Sequence, residues 1–282
     1  MKFPGPRSLL VMAGASLIGA LGACQSEEER NLDRGKEIVR SMSDQLAGAQ
    51  TFSFKTDEVH QRSASDGTLK ERRFSRETII RRPDGAWFHM IGPDRDGEGY
   101  YDGETLTLVG NREEVWAQVP LPPTLDEAMD VLQVDYEIPM PMADFIYSSP
   151  YEALISEDTR GGWVGEETVS GQECDHLAFQ SDAVDWELWV SKGEQRLPCQ
   201  LLITYKQDPG QPTSRLTFVE WNLAAQADAS RFDPRIPEAF RRIPVVGGPT
   251  EAAVSETQPT DSIAAAPSSP DAETTDTTDT GN

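Results

Sequence analysis

Apolar positions along this chain follow two rhythms. Over residues 28–47, Leu32, Gly35, Val39, Met42 and Leu46 recur at spacings of three and four, which sets them on one stripe of a helix. From Thr51 the period shortens to two. Phe52 and Phe54 alternate with polar neighbours, as on a half-buried strand. Further strands are expected over 68–82, 86–91, 99–102, 104–109 and 114–119, separated by Asp66-Gly67, Pro83-Asp84-Gly85, Gly92-Pro93-Asp94, Asp102-Gly103 and Gly110-Asn111. Turns this tight join antiparallel neighbours, so the pattern predicts a meander.

The strand rhythm then stops. Pro120, Pro122 and Pro123 end the run, and Thr124 with Glu127 three residues on forms a capping-box signature. A helix with Leu125, Met129 and Leu132 on one face is expected there. Shorter helical segments are expected over 143–147 and 150–155. Strands resume over 163–169, 173–180, 184–191, 200–206 and 215–221, and the plan closes near Phe232. Trp87, Phe88, Trp116, Trp186, Trp189 and Trp221 all lie in strands. Trp186 shares a face with Leu188 and Val190, while Trp189 points the other way.

The ends of the chain have a different composition. Lys2 and Arg7 precede an uncharged, mostly apolar run from Ser8 to Ala23, which is a secretory signal and too short for a comfortable membrane span of about 20 residues. It ends in Leu21-Gly22-Ala23-Cys24. This resembles a bacterial lipobox, in which the cysteine thiol takes a diacylglyceryl group and becomes the first mature residue. The expectation is a signal over 1–23, a lipidated leader over 24–30 and a membrane anchor at Cys24. Gln25 in place of Asp favours the outer membrane, facing the periplasm. The last stretch, 249–282, has seven acids, no Lys or Arg, and much Thr, Ser and Pro, so it is expected to be disordered. Between the ends, 31–248 is long enough for one domain.

A net charge of -23 argues against nucleic acid and against anionic lipid surfaces as primary partners. In an oxidising compartment Cys174 and Cys199 are a candidate disulfide. A flat sheet with the 184–191 strand between them would hold their Cα atoms about 10 Å apart, so a bulge would be needed to bridge them. No His-Glu-x-x-His, Gly-x-Ser-x-Gly, phosphate loop or Cys-x-x-Cys occurs. His60, His89 and His176 are scattered. A His176–Asp185 contact would suit a hydrolase, but a structural histidine is the expectation. Asp94-Arg95-Asp96-Gly97-Glu98 lacks the later ligands of a calcium loop and is expected in a hairpin. No metal, no cofactor and no catalysis are expected.

Several stretches in order carry a resemblance: Met42-Ser43-Asp44-Gln45-Leu46 before Phe52-Ser53-Phe54, Arg82-Pro83-Asp84-Gly85, and Tyr101-Asp102-Gly103-Glu104-Thr105-Leu106-Thr107-Leu108. Thr124-Leu125-Asp126-Glu127-Ala128, Cys174-Asp175-His176-Leu177-Ala178-Phe179 and Val184-Asp185-Trp186-Glu187-Leu188-Trp189-Val190 continue it. They are similar to a bacterial family of predicted periplasmic proteins with a domain of unknown function, grouped with the LolA/LolB-like lipoprotein-carrier fold. The resemblance implies a mainly β, antiparallel half-barrel with an N-terminal helix and a helical lid insert. It also implies a non-catalytic protein that binds an acyl chain or another lipid-type ligand in an apolar cavity. Leu125, Met129, Leu132, Met140, Met142, Phe145 and Ile146 would form the lid and cavity lining, and methionine suits a surface that re-packs. A sensory or scaffolding lipoprotein with an envelope protein partner is the alternative.

Overall fold

The computed structural model describes residues 26–245. Cys24, the signal segment and the acidic tail lie outside the described residues. Helix α1 (Glu27–Ala47) is followed by strands β1 (Thr51–Ser63), β2 (Leu69–Arg81), β3 (Gly85–Gly92), β4 (Arg95–Tyr101), β5 (Thr105–Gly110) and β6 (Val115–Pro120). The insert comprises α2 (Leu125–Val134), a 3-10 turn (Ala143–Phe145) and α3 (Pro150–Leu154). Then come β7 (Arg160–Val169), β8 (Gln172–Gln180), β9 (Val184–Ser191), β10 (Pro198–Tyr205), β11 (Thr213–Asn222) and β12 (Arg241–Arg242).

Twelve strands form one sheet in the order β12-β6-β5-β4-β3-β2-β1-β11-β10-β9-β8-β7. Two meanders are joined where β1 pairs with β11, so that Phe54 lies opposite Trp221 and Glu58 opposite Leu216. The sheet stays open, with β7 at one edge and β12 at the other. This is the antiparallel half-barrel with an N-terminal helix and a helical insert. β6 and β7 lie near opposite ends of the sheet, and the insert joining them packs into one core with Phe52 and Phe54 on the concave side.

Helix α1 begins at Glu27, inside the stretch expected as a leader. Its start is a full capping box: the Glu29 N–H donates to Ser26 Oγ at 3.1 Å, and the Ser26 N–H donates to Glu29 Oε2 at 2.8 Å. The helix lies on β7. A Cβ at Gly35 would come within 2.9 Å of Gly162 Cα, so this approach requires glycine on the helix. Arg34 stacks 3.5 Å above the Trp163 ring and pairs with buried Asp175 at 3.5 Å, and Asp175 also binds Arg196 at 2.6 Å. These contacts fix the helix at the end of the concave face.

The convex face is covered in part by the chain beyond β11. Phe232 is buried against Ile79 and Trp87. Arg231 lies 4.1 Å from the Trp87 ring, and Arg81 lies 4.5 Å from the Phe232 ring. The chain does not close at Phe232 as expected. It goes on to β12, which pairs in parallel with β6 through Arg241–Val115 and Arg242–Trp116. On the far half of this face, Cys174 on β8 and Cys199 on β10 are joined as a disulfide across β9. A bulge at Cys199, between Pro198 and Gln200, brings the two Cα atoms to 7.1 Å.

Candidate functional site: the concave face and its insert

Alternation on β1 sends Phe52, Phe54, Thr56, Glu58 and His60 to the concave side. The first two join an aromatic wall. The ring centroids of Phe54 and Trp221 are 4.8 Å apart, and those of Phe218 and Trp221 are 5.1 Å apart. Phe145 of the insert meets Phe218 edge-on at 5.5 Å and is 0% exposed. Leu125, Met129, Leu132, Met142 and Ile146 are buried with it in the same core as the sheet, and Met140 packs at its margin. Leu125, Met129 and Phe145 are 4%, 3% and 0% exposed. Open hollows of about 310 Å³ beside Gly48, Gln50 and Ala225, and about 380 Å³ beside Gln118 and Ile243, lie at the rim and edge.

Polar ties within the insert outnumber those to the rest of the chain. The Thr124 hydroxyl accepts from the Glu127 N–H at 3.3 Å and donates to the Glu127 carboxylate at 2.9 Å. The expected capping box would instead have sent that carboxylate to the Thr124 N–H. Asp126 accepts from the Ser148 N–H at 2.9 Å, and the Tyr147 hydroxyl donates to Asp130 at 2.6 Å. Among the described residues three bonds reach outside: Arg82 Nη1 donates to the Ile146 carbonyl at 2.6 Å, the Leu125 N–H to the Pro83 carbonyl at 2.8 Å, and the Tyr151 N–H to Ser43 Oγ at 2.9 Å. Burial also pushes the Asp144 carboxyl up to about 6.

Beyond the insert the concave face turns polar. Glu58, with a side chain 0% exposed, accepts from Arg76 Nε at 2.9 Å and Thr56 Oγ1 at 2.8 Å and contacts His60 Nε2 at 2.8 Å. His60 Nδ1 lies 2.8 Å from Ser214 Oγ, and the ring stacks on Phe74. Burial alone would raise the Glu58 carboxyl, but the bonds from His60 and Thr56 and the charge on Arg76 together hold it below its ordinary 4.5. A lowered carboxyl contributes stability above its ordinary value and loses it as pH falls through the lowered one. Glu58→Gln is therefore expected to lower stability by about 2 kcal/mol at pH 7 and to flatten the acid limb below pH 4.5. Urea unfolding from pH 7 to 3 reads both. The sequence reading missed this cluster, although the alternation begun at Phe52 already pointed Glu58 inward.

The His176–Asp185 contact does not form. Strand register sets His176 opposite Trp189 and Asp185 opposite Gln180. The His176 ring stacks on Trp189 at 4.3 Å and meets Glu187 at 2.7 Å and Glu167 at 3.2 Å, while Asp185 pairs with Lys206. Asp94-Arg95-Asp96-Gly97-Glu98 lies in the β3–β4 hairpin, with Asp96 bound to His89 and Asn111. Among the described residues no group of three or more His, Cys, Asp or Glu is placed to hold a metal, and no helix is long and apolar enough to cross a membrane.

Residues 35–246 match the model of a family described as predicted periplasmic protein, DUF2092. The chain belongs to this family. No curated protein matches the sequence. Among solved structures, the chain is similar to Mycobacterium tuberculosis lipoprotein LppX, at 11% identity and TM-score 0.43, over 68% of this chain and 97% of that one. It is similar to a LolA superfamily protein from Nitrosomonas europaea at 11% identity and TM-score 0.36, over 71% and 98%. A chain of the Pseudomonas aeruginosa MucA/MucB complex matches at 12% identity and TM-score 0.41, over 71% and 61%.

Proposed function

We propose that this family member is an envelope lipoprotein, anchored through Cys24 in the outer membrane and facing the periplasm, that binds an acyl chain on its concave face without acting on it chemically. The insert is the observation that carries this reading. It meets the wall of the half-barrel through apolar side chains, with Phe145 edge-on against Phe218. Such contacts are not directional, so another apolar group can take their place.

Magnitudes support an exchange. A palmitoyl-length chain offers about 12 kcal/mol of burial at about 0.8 kcal/mol per methylene. The six buried insert side chains contribute roughly 1.5–3 kcal/mol each, or about 9–18 kcal/mol together. The two sums are comparable, which gives reversible displacement rather than permanent capture. A filled face also suits the second reading, a scaffolding or sensory lipoprotein with a protein partner.

Uptake of a fluorescent fatty acid by the full chain carrying Cys24→Ser, purified without detergent, separates the two. Saturable one-to-one uptake is expected. No uptake would place the scaffold reading ahead. The same variant is expected to leave the membrane fraction or to stall in processing. A lipid-labelled, membrane-bound Ser variant would end the anchor assignment.

A further inference from the structure

Among the described residues, three buried side-chain polar atoms lack a hydrogen-bond partner: Thr78 Oγ1, Arg82 Nε and Arg82 Nη2. All three belong to one row. Thr78 and Ile80 face the concave side of β2, opposite Phe54 and Phe52, and Arg82 is the next position of that parity just past the strand end. Buried donors are paired almost without exception in folded proteins, so their concentration on the wall beneath the insert calls for a cause.

Arg82 is the more costly of the two residues. Its guanidinium carbon lies 5.3 Å from the Phe52 ring, and Nη1 is held by the Ile146 carbonyl of the insert. Burial lowers its pKa, and Asp126 is the one acid whose charge offsets that. Asp126 is itself occupied, because both the N–H and the hydroxyl of Ser148 donate to its carboxylate. The guanidinium stays charged, with two of its three nitrogens unpartnered, between a buried phenyl ring and the segment that must move for the face to open.

We infer that Arg82 is the headgroup site for an anionic amphiphile: its free Nε and Nη2 form two parallel bonds to a carboxylate or phosphate, while the acyl chain runs along the wall of Phe52 and Phe54. This rests on the acyl-chain reading above and specifies the ligand's polar end. A bidentate pair of this kind is both strong and selective for planar or tetrahedral oxyanions. A displaced insert would surrender the Ile146 carbonyl as acceptor, so Arg82 would have a replacement only when the incoming chain brings an anion with it. Opening and headgroup recognition are thereby coupled at one residue.

Competition against a fluorescent fatty acid, in the full chain carrying Cys24→Ser, tests this with three ligands of one chain length: palmitic acid, palmitoyl lysophosphatidic acid and uncharged hexadecanol. Wild type is expected to favour at least one anion over the alcohol by about tenfold or more. Preference for the acid alone assigns a carboxylate, for the lysophospholipid alone a phosphate, and for both a shared oxyanion site; each supports the proposal. Arg82→Met is expected to abolish the preference without weakening hexadecanol. Arg82→Lys, which keeps the charge and loses the fork, is expected to keep part of it and serves if the methionine variant does not fold. Equal affinity of wild type for all three, or an undiminished preference in either variant, overturns the headgroup site while leaving acyl binding intact. Failure of every ligand to bind overturns both.

Discussion

Phe145→Ala is expected to tighten binding of an uncharged acyl probe by roughly 100-fold while lowering the melting temperature. Phe145 is fully buried and meets Phe218 edge-on, so its loss removes about 3 kcal/mol or more from the closed insert. If insert and ligand compete for one surface, apparent affinity is the intrinsic affinity scaled by the open fraction. Weakening the closed state then raises that fraction by the same factor, until the open state dominates. A cap that never leaves the sheet gives a different result: stability falls and binding does not improve. Isothermal titration of a long-chain alcohol beside thermal unfolding reads both quantities on one sample.

Asp144 is expected to make the same equilibrium depend on pH. Its carboxyl sits in the 3-10 turn next to Phe145, and burial raises it from the ordinary 3.8 to about 6. The neighbouring acid–phenol pair, Asp130 and Tyr147, is hydrogen-bonded to itself, and the Tyr147 hydroxyl is pushed up mainly by its own burial. A raised carboxyl stabilises the closed form fully below its ordinary value, and that contribution is lost as pH rises through about 6. The insert should therefore open more readily at pH 7.5 than at pH 5. Only the part of the rise above pH 5, up to about 6, falls within that interval, which sets a ceiling of about tenfold on the gain in apparent affinity. An uncharged alcohol probe is needed, because a fatty acid titrates in the same range. Asp144→Asn is expected to flatten the profile and leave binding at pH 7.5 weaker than that of wild type at the same pH. A variant that keeps the full pH dependence would assign it to another group.

Much of the fold is legible in the sequence because it is local. Two-residue alternation at Phe52 and Phe54, turn pairs such as Asp102-Gly103, and Thr124 after Pro122-Pro123 each act over a few residues. The apolar pattern starts strand β4 at Gly99, because Arg95-Asp96-Gly97-Glu98 carries no apolar alternation, yet the strand begins at Arg95. At Gly99 a Cβ would strike the Phe88 ring at 2.2 Å, so the glycine makes room for an aromatic on the next strand. That is a tertiary reason with no local trace. The pairing of β1 with β11 and the two-residue β12 are likewise non-local. In the site, Met129 and Phe145 are legible as apolar insert residues. Glu58 is readable from strand parity. Arg82 and Asp144 are not, since ordinary surface exposure is the default for both types and only the packed insert draws them partly out of water.

Displacement of the insert is most directly measured as a distance. Val134 at the end of α2 and Val219 on β11 are 75% and 54% exposed, so spin labels at Val134→Cys and Val219→Cys disturb no packing. Labelling without reductant in the Cys24→Ser background keeps Cys174 and Cys199 paired. Electron–electron resonance of the labelled chain, with and without palmitate, then reports where the insert sits relative to the wall. A second, longer distance that grows with palmitate and saturates at one equivalent is the predicted result. A single distribution that stays unchanged at saturating palmitate would contradict displacement and leave the insert a fixed part of the core.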